Sequence, residues 1–204
     1  MKYVFSLMFV IVLCSSMNAV NCRAAVGLDA FGLLVISDQN LVAGYKETTA
    51  PMVSAQITES VECFDLGIGM NYQLPRDHGD LPEDMQVAYG EHYFFPIYGI
   101  LSYNIPSTGR IKPQLISQFG YNFVSMKFPL NDEDDRDDIN GGFFYGLGLG
   151  LDYHKISLNV MYLSNGMRVN HEELSSNHWR VTNEGDIQTQ QLNISIGYKF
   201  GRAL

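Results

Sequence analysis

Gly142–Tyr153 reads GFFYGLGLGLDY, and from Phe143 onward it alternates. Phe143, Tyr145, Leu147, Leu149, Leu151 and Tyr153 fall on one side of an extended chain, and Gly146, Gly148, Gly150 and Asp152 on the other. Successive side chains of a strand point to opposite faces, so one face is continuously apolar with aromatic ends and the other is almost bare. A soluble sheet also has one apolar face, so polarity by itself leaves the surroundings of this strand open. Length and the aromatic ends narrow them. About ten residues at a steep tilt cross a bilayer, with aromatic girdles at both interfaces. The bare face suits the crowded inside of a narrow barrel. The stretch is therefore read as one stave of a small membrane β-barrel.

The same alternation recurs on either side of it. Phe64–Tyr72 sets Phe64, Leu66, Ile68, Met70 and Tyr72 against Asp65, Gly67, Gly69 and Asn71. Tyr93–Ile105, Ile111–Phe123, Ile156–Tyr162 and Gln190–Phe200 repeat it, while Val26–Leu34 and Met52–Val61 alternate poorly. Polar or Gly/Pro-containing connections at Gln39–Thr49, Pro75–Gly90, Asn131–Gly141 and Asn165–Asp186 read as long loops. The other connections are short: the step from Val61 to Phe64, Pro106–Arg110, and Tyr153–Lys155. Long connections thus follow the odd-numbered strands and short ones the even. An even strand number, long outer loops and short periplasmic turns mark outer-membrane barrels. The expected fold is all-β: an eight-stranded antiparallel up-and-down transmembrane β-barrel with both chain ends on the periplasmic side.

A chain of 204 residues suits one such domain. Its formal charge of −9 argues against a nucleic-acid partner, which asks for a basic footprint. The longest apolar run lies at the start, with Lys2 before it and the small or polar stretch Cys14–Ala24 after it. This is the pattern of a cleavable signal peptide over residues 1–24, leaving a barrel domain over residues 25–204. Cys22 and Ala24 place small residues at −3 and −1 of that cut; a cut after Ala19 is the alternative, with Met17 at −3. After cleavage at Ala24 only Cys63 remains, which reads as a packed small residue.

Phe64–Pro75 (FDLGIGMNYQLP), Ile97–Asn104 (IYGILSYN), Gly142–Tyr153 and Leu192–Phe200 (LNISIGYKF) resemble the small eight-stranded outer-membrane barrels of the OmpA/OmpX type. The resemblance covers residues 25–200. It implies an integral protein of the outer membrane of a Gram-negative-type bacterium. It also implies a terminal aromatic strand end read by the barrel-assembly machinery; Tyr198 and Phe200 occupy it, although Gly201–Leu204 follow.

Inside the barrel the alternation places Asp65, Asn71, Asn104, Lys112, Gln114 and Gln118. It also places Asp152, Asn159, Asn193 and Lys199 there, together with Gln73, Asn122 and Gln191. A pore is one reading of this set, but an eight-stranded barrel is only wide enough for side chains to fill. A hydrogen-bonded plug is favoured, with Lys112 and Lys199 neutralising Asp65 and Asp152.

Asp132, Glu133, Asp134, Asp135, Asp137 and Asp138 crowd one outer connection without the glycine and glutamate spacing of an EF-hand loop, and read as a solvated segment. Ser164-Asn165 resembles the Ser-Asn pair of lipid A deacylases, but Tyr162 stands where that family has its histidine. Ser164 then reads as a strand-ending residue, with His171 beyond it in a loop. His78, His92, His154, His171 and His178 share no metal-ligand spacing. Trp179 reads as a loop-apex residue.

The sequence thus points to a non-catalytic, monomeric barrel without cofactor. Its direct role is structural or interactive, presenting four outer loops whose partner the sequence does not name. Its surroundings are outer-membrane lipid, with lipopolysaccharide a candidate where the leaflet holds it. A soluble lipocalin-like barrel holding an apolar ligand is the runner-up, with the faces inverted. A lipid A-modifying enzyme is third.

Overall fold

A computed structural model describes residues 20–38, 41–47, 49–74, 91–127, 135–175 and 178–200. Among these residues nine strands follow one another: β1 (Val20–Asp38), β2 (Leu41–Glu47), β3 (Pro51–Val61), β4 (Phe64–Gln73), β5 (Glu91–Asn104), β6 (Ile111–Lys127), β7 (Asp135–Tyr153), β8 (Ile156–Ser175) and β9 (His178–Phe200). β1 pairs antiparallel with both β2 and β3, each strand from β3 to β9 pairs antiparallel with the next, and β1 closes on β9 from Cys22–Phe200 to Ser37–Asp186. β2 and β3 lie along the same side of β1, opposite Gly32–Asp38 and Val20–Leu28 respectively. They form one interrupted stave, so the nine strands make the eight-stave up-and-down barrel expected.

The interruption has a counterpart on β1. Ala30 is skipped in the β1–β9 register between Asp29 and Phe31, and the Asp29 amide donates to Ala50 O at 3.0 Å. A bulge of this kind shifts side-chain parity by one residue. That accounts for the poor alternation of Val26–Leu34.

The founding stretch behaves as its pattern demands. Phe143 and Leu149 are 62% and 61% exposed, whereas Phe144 is buried and Asp152 is 4% exposed. Across all staves the exposed large apolar residues form one outward belt, including Ile68, Leu101, Leu115, Leu158 and Ile196. In a soluble fold such a surface drives aggregation; around a closed barrel it is the lipid-facing band.

Periplasmic connections are tight. Val61 pairs with Phe64 and Tyr153 with Ile156, so Glu62-Cys63 and His154-Lys155 are two-residue turns. Glu62 (φ 55°) and His154 (φ 54°) both take the left-handed region at the first central position, where glycine is the usual occupant.

The opposite end departs from expectation. Gln39–Thr49 is not a loop, since Leu41–Glu47 pairs back onto β1 as β2. Asn131–Gly141 is not wholly a loop either: Asp135–Gly141 pairs with Glu173–Met167. Asn165–Asp186 continues β8 and opens β9, with Leu174 paired to Trp179. The outer connections are ribbons that outrun the bilayer. Past the lipid, water meets both faces of a ribbon, and the apolar period that reveals a strand disappears. Asp132–Asp134 and Pro75–Gly90 lie outside the described residues, as does His78. Residues 1–19 and 201–204 do too. Val20–Ala24, on the signal side of the expected boundary, are strand residues of β1.

Candidate functional site

Three layers fill the lumen. Nearest the periplasm, Asp152 of β7 receives Arg23 Nη2 of β1 at 3.5 Å and the Lys199 ammonium of β9 in direct contact. Arg23 also reaches Gln114 Oε1 at 3.5 Å, and Gln114 Nε2 donates to Asn104 Oδ1 at 2.5 Å. Beside this group Ser60 Oγ donates to Asp65 Oδ1 at 2.6 Å and accepts from Asn21 Nδ2 at 3.1 Å. Buried charge is tolerable only when partnered: Arg23 and Lys199 share the Asp152 carboxylate, and the Asp65 carboxylate adds a second negative charge that acts on Lys199.

The middle layer is apolar: Met52, Ile100, Ile116, Met161 and Leu163 pack with Tyr98 and Phe144. Tyr98 reaches across from β5. Its ring lies 5.2 Å from that of Phe144, its hydroxyl donates to Asn71 Oδ1 at 2.7 Å, and Gln56 Nε2 donates to it at 3.2 Å. The reach depends on the bare face of β4. A Cβ on Gly69 would meet Tyr98 ring atoms at 2.6–2.8 Å. On β7, a Cβ at Gly146 or Gly150 would meet Leu163 at 2.8 Å or Asn159 at 2.7 Å, since β8 side chains lie over the glycines.

The outer layer is polar again. Gln73 Oε1 accepts from Gln191 Nε2 at 3.1 Å and Asn165 Nδ2 at 3.4 Å, and Asn193 Nδ2 donates to Asp29 at 2.9 Å. Between the layers a cavity of about 20 Å³ is lined in part by Gln118, Asn159 and Asn193. The side-chain oxygens of these three have no partner among the described residues. A space of this size with two to four polar partners suits about one buried water.

Among the residues expected to line the lumen, Asp65, Asn71, Gln114, Gln118, Asp152, Asn159 and Asn193 are buried, as are Gln73, Asn122 and Gln191. Asn104 and Lys199 are half-buried. Lys112 is exposed and has no ion pair among the described residues. Asp152, the position opposite it, takes Lys199 as expected and Arg23 as its second cation. Arg23, Asp29 and Gln56 are not among the expected lumen residues. Asp29 was hidden by the β1 bulge, and Arg23 by the signal-peptide boundary. Tyr198 is exposed, with Phe200 edge-on at 5.0 Å and Lys155 Nζ 6.0 Å above its ring. Among the described residues no group of His, Cys, Asp and Glu is placed to hold a metal.

Ser164 does not end its strand: β8 runs on to Ser175 and Ser164 is 1% exposed. It pairs with Tyr145 and Gln190, on the outward side of the wall. Around it lies a groove of about 510 Å³, reaching from Tyr121 over Phe143 and Tyr145 to Arg168, Asp186 and Gln188. The Arg168 Nε donates to Asp186 Oδ1 at 3.0 Å.

No family model matches the chain. It is similar to an uncharacterized protein, PM1543, of Pasteurella multocida: 23% identity over 220 residues, covering 90% of each chain. Among solved structures, the outer membrane protein OprG of Pseudomonas aeruginosa overlays with a TM-score of 0.56 at 15% identity, over 91% of this chain and 97% of that one. Neisserial surface protein A overlays more loosely, with a TM-score of 0.48 at 14% identity over 89% and 97%. The OprG overlay shows the fold. The outward apolar belt and the side chains that fill the inside among the described residues fit lipid outside and a packed lumen, the inverse of the lipocalin arrangement. The chain is an integral β-barrel of the outer-membrane type.

Proposed function

We propose that this barrel is a sealed, non-catalytic and monomeric scaffold of the outer membrane, which holds its outer ribbons at the cell surface. The observation that carries the reading is the filled lumen, bridged by Tyr98 and Phe144 and leaving a cavity of about 20 Å³ at its middle. The polar layers around it act as a hydrogen-bonded plug. Planar-bilayer recordings of the purified protein test this: no steady conductance is expected, and a reproducible open channel would return a transport role.

Two further assignments belong to this reading. The outward aromatic end Tyr198–Phe200 is the strand that the assembly machinery engages, because it forms the seam partner of β1. The mature chain keeps Arg23, because removing residues up to 24 would strip the ion cluster of a cation and unpair Val20–Ala24 from β3. Cleavage after Ala19 leaves both intact. The intact mass of the protein extracted from membranes reads this directly, and a chain starting at Ala25 would overturn it.

A further inference from the structure

We propose that the outward groove over Ser164 seats the headgroup of a glycolipid from the outer leaflet, an acylated aminosugar amphiphile. The proposal rests on the membrane-scaffold reading and adds a ligand to it. Two neighbouring staves change character along their length. Outward residues of β9 run Ile196, Ile194, Leu192 and then Gln190, Gln188, Asp186; those of β8 run Leu158, Val160, Tyr162 and then Ser164, Gly166, Arg168. The changeover is level, because Tyr162 pairs with Leu192 and Ser164 with Gln190. At the same height the staves on the other side remain aromatic, with Tyr121 paired to Phe143 and Phe119 paired to Tyr145.

A polar bank therefore faces an aromatic one where the lipid belt ends. The depression between them has a structural cause. Gly142 and Phe143 stand opposite the single residue Gly166, a bulge in the β7–β8 ladder. Gly166 contributes no side chain to the outward column, and a Cβ there would lie 3.0 Å from Phe143 O. With the small Ser164 beneath it, the wall dips into a concavity of about 510 Å³, within the usual range of small-molecule sites.

The lining selects the ligand. Phe143 and Tyr121 are exposed rings, against whose faces the C–H edge of a sugar packs; interface aromatics of this kind have one apolar and one wet end. Gln188 offers an acceptor and a donor for ring hydroxyls or an amide, and Arg168, oriented by its Nε bond to Asp186, presents a cation to an anionic substituent. Below the groove the outward surface is Leu147, Leu158, Val160 and Leu192, continuous with the belt that acyl chains cover. A headgroup in the groove thus leaves its chains in the bilayer. Tyr162, which is no base, stands two residues before Ser164 on the same face.

The test is native mass spectrometry of the protein released from nanodiscs of phosphatidylcholine. These contain a minor fraction of either an acylated diglucosamine phosphate (lipid A) or phosphatidylglycerol. Wild type is expected to retain one lipid A with its full acyl mass and to show no preference for phosphatidylglycerol. The Arg168→Ala/Gln188→Ala double variant should lose about tenfold in retention, as for one hydrogen bond to a charged group. Ser164→Leu, which fills the floor, should lose as much. The double variant changes exposed residues only, so the test stands even if Ser164→Leu does not fold. Retention of phosphatidylglycerol equal to lipid A, or undiminished retention by the double variant, overturns the proposal. Insertion into nanodiscs without lipid A retention fails the groove alone; failure to insert fails the scaffold reading.

Discussion

Leu147, Leu149 and Leu151 on the wall touch a medium that adapts to them, whereas Asp152, the next residue along β7, touches two particular cations from β1 and β9. Lipid asks only that the wall be apolar and the right height. The lumen asks for specific partners at specific distances, because water is excluded and each polar group must be answered by another. A wall residue is therefore exchangeable within its class, and a lumen residue is not.

The largest expected effect breaks the lumen side. Asp152→Ala leaves Arg23 and Lys199 facing each other with no shared acceptor, and should cost about 3–5 kcal/mol, the range for breaking a buried ion pair. Urea unfolding in lipid vesicles measures it; a loss below about 1 kcal/mol would mean that the cluster is wet rather than sealed. Leu149→Arg or Ile194→Arg breaks the wall side instead, at about 2–4 kcal/mol if each sits at the bilayer midplane. Wild-type folding of both variants in bilayers would remove the outward assignment. The smallest effect sharpens the contrast at the periplasmic turns, which neither medium governs. Glu62→Gly relieves a left-handed non-glycine residue and should stabilise by about 0.5–1 kcal/mol net of the chain-entropy cost of glycine. Destabilisation would show that the Glu62 side chain contributes there.

The two sides were not equally legible in the sequence. Wall positions were read from period alone, because lipid imposes one rule along the whole stave: Phe143–Tyr153 and Leu192–Phe200 carry it openly. Inward polarity was read by the same parity. Which polar group meets which was not legible, since Gln73–Gln191 and Arg23–Asp152 come from staves whose curvature and register the period does not encode. Ribbons beyond the membrane were missed where the rule ceases, as at Asp135–Gly141 and Leu41–Glu47. The groove over Ser164 was missed for a related reason. It depends on a bulge at Gly142-Phe143 that shifts one stave against another, and a strand pattern read singly carries no sign of such a shift.

The pairing of β1 with β9 also sets an order of events. Every other adjacent pair of staves joins sequence neighbours and can form as soon as a hairpin is made, whereas Cys22 must wait for Phe200. Loop-closure entropy has to be met before such distant contacts return anything, so the seam belongs to the slow end of folding. Until it closes, both open edges expose unpaired backbone groups, which hydrocarbon does not tolerate. The barrel thus has no stable half-inserted form, and the chain must be held unfolded from synthesis until all its staves can enter the bilayer together.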